Sequence, residues 1–193
     1  MARPISFDPE LALDEAIELF WTKGYHNASV EDIVQSTGLN RHSLYVRFGS
    51  KLGLLRAALQ RHNERGVAQL TAICNADEPV KDRLRKLLAL REPTNADPVF
   101  GDATRRGCFQ FSIGTELRNT HPEFRSAMND MARQVEQFLE QLVREGQQSG
   151  EVRSDCSAED LASVLMGGFM LPLIYNQGEQ RFDGLVSVIH CAV

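Results

Sequence analysis

Cysteine is sparse in this chain: four residues among 193. Cys74, Cys108, Cys156 and Cys191 lie far apart, with no Cys-x-x-Cys pair and no histidine cluster beside any of them. That spacing argues against a zinc site or a disulfide framework and for reduced thiols. No metal and no cofactor is expected. Aromatics are few, 7% with a single tryptophan, and no apolar run approaches the ~20 residues of a membrane span. The amino end lacks the basic-then-apolar pattern of an export signal, so a cytoplasmic protein with no membrane partner is expected. Strand-like alternation is missing, as are internal repeats, phosphate-binding glycine loops, His-Glu-x-x-His and Gly-x-Ser-x-Gly. Gly49-Ser50-Lys51-Leu52-Gly53 has the wrong spacing for a nucleotide loop. The histidines, His26, His62, His121 and His190 among them, are scattered and read as surface or helix-end residues. An enzyme is not expected.

What is present is helical periodicity, and it points to an all-α chain. The stretch from Ser29 to Lys51 is the most informative. Ser29 and Asp32 stand at capping-box spacing ahead of Ile33 and Val34. Gly38 ends that short helix, because a glycine just past the last periodic residue adopts positive φ without steric cost. Asn40 suits the N-cap of a second helix, whose apolar anchors are Leu44, Tyr45 and Phe48. Arg41, His42 and Ser43 are left on its outward first turn. In a helix-turn-helix that turn meets base edges in the major groove of double-stranded DNA. Arg41 has the fork geometry to read guanine, while His42 and Ser43 donate or accept. Arg47, Lys51 and the Tyr45 hydroxyl suit phosphate, and Ser50 suits the N-cap of a following helix. Ser29, Asn40, Arg41, His42, Ser43, Tyr45, Arg47 and Lys51 are therefore the expected DNA-binding set. An ordinary helical hairpin with a solvated face is the bland alternative.

A preceding helix carries Leu13, Ala16, Ile17 and Phe20 on one face; Asp8 or Pro9 starts it and Gly24 ends it. Net charge is −5, which looks wrong for a DNA binder until the chain is divided. Residues 1–65 hold eight Lys/Arg and eight Asp/Glu, and the deficit lies beyond them. Between 36 and 65, Arg41, Arg47, Lys51, Arg56, Arg61 and Arg65 face only Glu64, so a local positive field is expected.

Residues 13 to 55 resemble the DNA-binding domain of the TetR family of bacterial transcriptional regulators. Ala16, Leu19-Phe20, Gly24-Tyr25, Ser29-Val30 with Asp32-Ile33, Gly38-Leu39, Leu44-Tyr45, Phe48, Ser50-Lys51 and Leu54-Leu55 carry the resemblance. Three positions depart from the family. Thr37 replaces the usual alanine and His42 a small residue, both expected to bear on which operator is read. Gly53 replaces an acidic residue and is expected to weaken its helix. The expected domains are a helix-turn-helix domain over 1–50 and a helical regulatory and dimerisation domain over 51–193.

In the second part, helices are expected over 51–72, 80–92, Cys108–Asn119, Pro122–Gln148, Ser157–Gln177 and roughly Arg181–Cys191, with a short one near Phe100–Arg105. Pro172 should kink the Ser157–Gln177 helix. The two long helices before residue 178 carry more apolar surface than one buried face needs. A homodimer through Phe138, Leu142, Val164, Gly167 and Gly168 is expected, unless those faces only complete the monomer core. The family resemblance implies such a dimer, and also a pocket for a small-molecule inducer that shifts the recognition helices. Phe100, Cys108, Phe109, Phe111, Met128, Met131, Met166, Phe169 and Met170 are the candidate pocket wall, an adaptable apolar surface that could equally be core. Arg105-Arg106-Gly107-Cys108 resembles one branch of the family. There an arginine-flanked thiol at a helix start would ionise more readily, making oxidation or alkylation of Cys108 a rival trigger. A helical scaffold dimer without operator binding is a further alternative.

Overall fold

The computed structural model describes residues 8–90 and 108–170. The expected helices near Phe100–Arg105 and Arg181–Cys191, together with Phe100, Pro172 and the arginines before Cys108, lie outside the described residues. Within them the chain forms α1 (Pro9–Lys23), α2 (Val30–Thr37), α3 (Arg41–Phe48), α4 (Lys51–Cys74), α5 (Val80–Ala89), α6 (Phe109–Leu117), α7 (Pro122–Ser149) and α8 (Ala158–Met170).

Local chemistry explains the boundaries. Asp8 Oδ1 accepts from the Glu10 amide 2.9 Å away and Pro9 opens α1, a favourable first-turn pair because proline has no amide to leave unpaired. Ser29 and Asp32 form a reciprocal capping box on α2. Lys23 approaches the same carboxylate at 2.7 Å. The Lys23 bond, then the Ser29 amide and hydroxyl, hold the Asp32 carboxyl down at about 2. Gly38 at φ +68° ends α2 in the left-handed region that favours glycine.

One expectation about this region needs correcting and another extending. Thr37 is buried; its hydroxyl donates to Ile33 O at 2.6 Å and accepts from the Leu39 amide at 3.2 Å. It ties the turn together from inside and presents nothing to DNA. Gly53 does more than weaken a helix. A Cβ there would run into the Phe48 carbonyl, so its hydrogen lets the end of α3 press against the start of α4.

Two apolar cores result. The first gathers Ala16, Phe20, Ile33 and Leu44 around Leu54, Leu55, Ala58 and Leu59 of α4, and takes in Phe109, Ile113 and Leu117 of α6 and Phe124 of α7. The second joins Leu70 of α4, Leu84, Leu87 and Leu88 of α5, Leu139, Leu142 and Val143 of α7, and Leu161, Leu165 and Phe169 of α8. The expected division at residue 50 falls just before α4, whose first half completes the N-terminal core and whose second half enters the other. α4 packs directly against α3, while α6 reaches α1 and the turn that follows it. Arg83 anchors the second core: buried, it donates at 2.6 Å to the Cys74 carbonyl and pairs with Glu145. Burial pushes the Cys74 thiol up to about 11 against the opposing pull of the Arg83 charge, so Cys74 stays protonated and inert.

Candidate nucleic-acid interface and regulatory cavity

Asn40 caps α3, its Oδ1 accepting from the Ser43 amide at 2.8 Å. Leu44, fully buried, pins the helix to the core. The opposite face is open: Arg41, His42, Tyr45, Val46 and Arg47 are exposed, and Ser43 is half-buried. Val46 is 73% exposed, an apolar group left in water on a helix that has a core available to it. Periodicity gave no reason to mark it, yet it shares the face of His42 and Tyr45 and suits a thymine methyl.

The expected cations do not all stand on this face. Arg41 pairs with Glu31 of α2 while keeping 61% of its side chain exposed. Arg61 and Arg65 converge on Asp14 of α1, at 2.7 and 2.6 Å. Burial would raise the Asp14 carboxyl, but hydrogen bonds and charge from the two arginines outweigh it and hold the carboxyl below its ordinary range. Arg56 reaches Glu123 of α7 at 2.7 Å. These six cations divide between α3 and α4, and the last three along α4 brace it against α1 and α7. Lys51 is half-buried with its Nζ 4.5 Å from the Tyr25 ring centroid. Burial lowers its pKa against the opposing pull of Glu116 and Asp32. The Ser29 hydroxyl and Asn40 carbonyl oxygen are engaged in caps, so their immediate role is to hold α2 and α3.

Behind this face lies a connection that sequence reasoning missed. Glu116 of α6 accepts from the amides of Tyr25 and His26 at 2.9 and 2.8 Å. One carboxylate thus closes the α1–α2 turn from the other half of the protein. Beside it, Trp21 of α1, His62 of α4 and Phe109 of α6 form a ring cluster with centroids 5.3–5.9 Å apart. His62 is therefore a core residue, not the surface or helix-end residue expected. Glu116 is the one charged residue of α6, which was the available signal, but nothing in the sequence names its partners.

On the far side of α6, a cavity of about 190 Å³ lies between α6, α7 and α8. Cys108, Phe111, Met128, Met131, Met166, Phe169 and Met170 line it. Phe109 does not: two residues from Phe111 it points the other way round the helix, into the Trp21 cluster. Gln110, unmarked in the sequence, also lines this space. A larger open groove of about 800 Å³ separates α4 from α7. Of the residues expected at a dimer face, Leu142 is buried in the protomer's own core and Gly168 is also buried. Leu142 of α7 shares that core with Leu84 and Leu88 of α5 and Leu161 and Leu165 of α8. Phe138 is half-buried, Val164 is 49% exposed, and Gly167 has open space above it. Among the described residues no group of side chains could hold a metal ion, and no helix is long and apolar enough to cross a membrane.

Comparison with known proteins gives this geometry a context. The profile of the family described as bacterial regulatory proteins, tetR family, matches residues 12–58, and that of the tetracyclin repressor-like C-terminal domain matches residues 80–175. The chain is 31% identical over 163 residues to the HTH-type transcriptional repressor ComR of Escherichia coli strain K12, covering 84% of this chain and 76% of that protein. The crystal structure of a TetR family regulator from Cytophaga hutchinsonii superposes with a TM-score of 0.76 at 21% identity, covering 94% of each chain. A cysteine mutant of the TetR family regulator CifR, solved in complex with 26bp double-strand operator DNA, superposes with a TM-score of 0.64 at 25% identity, covering 96% of this chain and 95% of that one.

Proposed function

This chain belongs to the TetR family of DNA-binding bacterial transcriptional regulators, and we propose that within it the chain acts as a homodimeric repressor, binding a palindromic operator and leaving it when a small apolar ligand occupies the C-terminal half. The observation that carries the reading is the exposed first turn of α3, with Arg41 and His42 in solvent and the helix locked by Asn40 and Leu44. Arg41 reads guanine; Tyr45, Arg47 and Lys51 take phosphate, and Val46 meets a thymine methyl. The face of Val164 and Gly167 on α8, with Phe138 on α7, supports pairing with a second copy. Two copies present two recognition helices about one DNA turn apart.

Release requires a ligand that favours the DNA-incompetent spacing; affinity alone shifts nothing. α6 supplies the link, since one face lines the cavity and the other carries Phe109 and Glu116 into the helix-turn-helix.

The test is a footprint on the DNA upstream of the protein's own gene, followed by affinity at several salt concentrations. A protected palindrome is expected. With Arg47 and Lys51 as the phosphate-facing cations, four per dimer, log K should fall against log salt with a slope of about −4. A slope near −10 would mean that Arg56, Arg61 and Arg65 leave their carboxylates for phosphate. A dimer with no preferred duplex would be a scaffold instead.

A second trigger is favoured by one observation: Cys108 is the N-cap of α6 and lies in the cavity wall. Oxidation or alkylation there would press on the same helix. Cys108→Ser is then expected to hold the operator in oxidant concentrations that release the wild type, and a wild type indifferent to oxidants and electrophiles removes this reading.

A further inference from the structure

Gln110 is an anomaly in the wall of the α6–α7–α8 cavity. It is 2% exposed, among methionines and phenylalanines that would pack a leucine equally well. Its Nε2 donates to the Ala127 carbonyl of α7 at 2.6 Å. A carbonyl oxygen only accepts, so the amide orientation follows: nitrogen to Ala127, oxygen away from it. That oxygen, Oε1, is shielded from solvent and has no hydrogen-bond partner. Buried acceptors are paired in the great majority of cases, and one that is not calls for an explanation. The bond to Ala127 accounts for half of the side chain and leaves the other half unexplained. Asn129 is the other amide of the described wall and makes no bond to Oε1; a buried water, which needs two to four polar partners, would find few more here.

We propose that the cavity binds a neutral, single-ring-sized apolar molecule bearing one N–H or O–H donor, and that Gln110 Oε1 receives that donor. The proposal rests on the reading of this cavity as the regulatory site and narrows its ligand class. Size sets the first limit: a cavity of about 150 Å³ holds benzene, so 190 Å³ takes one ring and a small substituent. Charge sets the second. Among the described residues the cavity wall has no Lys, Arg, His, Asp or Glu, so none of them offers an ionised carboxylate or ammonium a counter-charge. The acceptor sets the third, since a ligand offering only lone pairs would face Oε1 with repulsion. Adaptable thioethers at Met128, Met131, Met166 and Met170 let the wall close on rings of differing outline.

Phenol and toluene test this directly, because they share a shape and differ by hydroxyl against methyl. Binding to the full-length wild type is measured by calorimetry, with operator retention followed in parallel. Transfer out of water favours toluene, yet the wild type is expected to bind phenol more tightly. In Gln110→Met the preference should shift toward toluene by about tenfold, the loss of one matched hydrogen bond in an apolar site. The wild-type comparison stands by itself if the variant fails to fold. Toluene binding as tightly as phenol to the wild type, neither probe binding, or an unchanged preference in a folded Gln110→Met would each overturn the proposal. Phenol that binds through Gln110 yet leaves the operator complex intact upholds the proposal and counts only against ligand-triggered release.

Discussion

Glu116→Ala is expected to yield a folded protein that still binds its operator but responds weakly or not at all to the effector that releases the wild type. Allosteric coupling in such proteins is typically about 1–3 kcal/mol, or roughly 5–150-fold in affinity, and it must cross from α6 to α3 through particular contacts. Glu116 provides the most direct one, with both carboxylate oxygens on consecutive amides of the α1–α2 turn. Removing it leaves Tyr25 and His26 without those partners, and about 1–3 kcal/mol of stability should go with the two charge-assisted bonds. Gly24 belongs to the same device, since a Cβ at its φ of +78° would crowd the Glu116 carboxylate. The measurement is the ratio of operator affinities with and without effector. Trp21, the single tryptophan, touches Phe109 and His62 at this junction and reports locally by fluorescence. In Glu116→Ala the ratio should approach one while effector binding persists. A variant that keeps the wild-type ratio would show that coupling runs instead through the apolar contacts of Phe109 and Ile113, or through the Arg56–Glu123 pair.

The second large effect concerns base reading. Arg41→Ala should lose about 1–3 kcal/mol of discrimination at one operator position and little affinity for random duplex. Lys51→Ala should weaken binding to every sequence alike. The structure adds a refinement, because Arg41 rests on Glu31. An exposed pair of this kind is worth about 0–1 kcal/mol, so DNA can outcompete it. Glu31→Gln is accordingly expected to raise operator affinity by at most about fivefold, with the gain vanishing in an Arg41→Ala background. Competition on matched and single-base-substituted operators reads both effects. Equal losses on operator and random DNA for Arg41→Ala would assign it to phosphate.

Much of the helix-turn-helix was legible in the sequence because its signals are local. Ser29 with Asp32, Gly38 and Asn40 act within three or four residues of themselves, so caps and turn follow from identity and spacing alone. The 3.6-residue period likewise places Leu44 inward and Arg41 and His42 outward. The same period marks α7 and the start of α8 as amphipathic. It says which residues leave water and is silent about what they meet, which is why Leu142 read as a dimer contact and lies in the protomer's core.

Charge was the least legible property. Arg56, Arg61 and Arg65 look like a DNA-facing run when counted along the chain. In space they turn around α4 toward Glu123, Glu10 and Asp14, carboxylates up to 67 residues away in sequence. Thr37, His62, Gln110 and Glu116 follow the same rule, since a polar side chain takes its meaning from its partner. Among the described residues, the amino-acid sequence alone determined the helices of the helix-turn-helix, their caps and the outward turn of α3, because those rest on neighbours a few residues apart. Only the tertiary structure decided which cations of α4 pair with carboxylates of other helices, which acceptor stands unpaired in the cavity, and how α6 grips the α1–α2 turn. Each of those is a contact between residues that the chain itself keeps far apart.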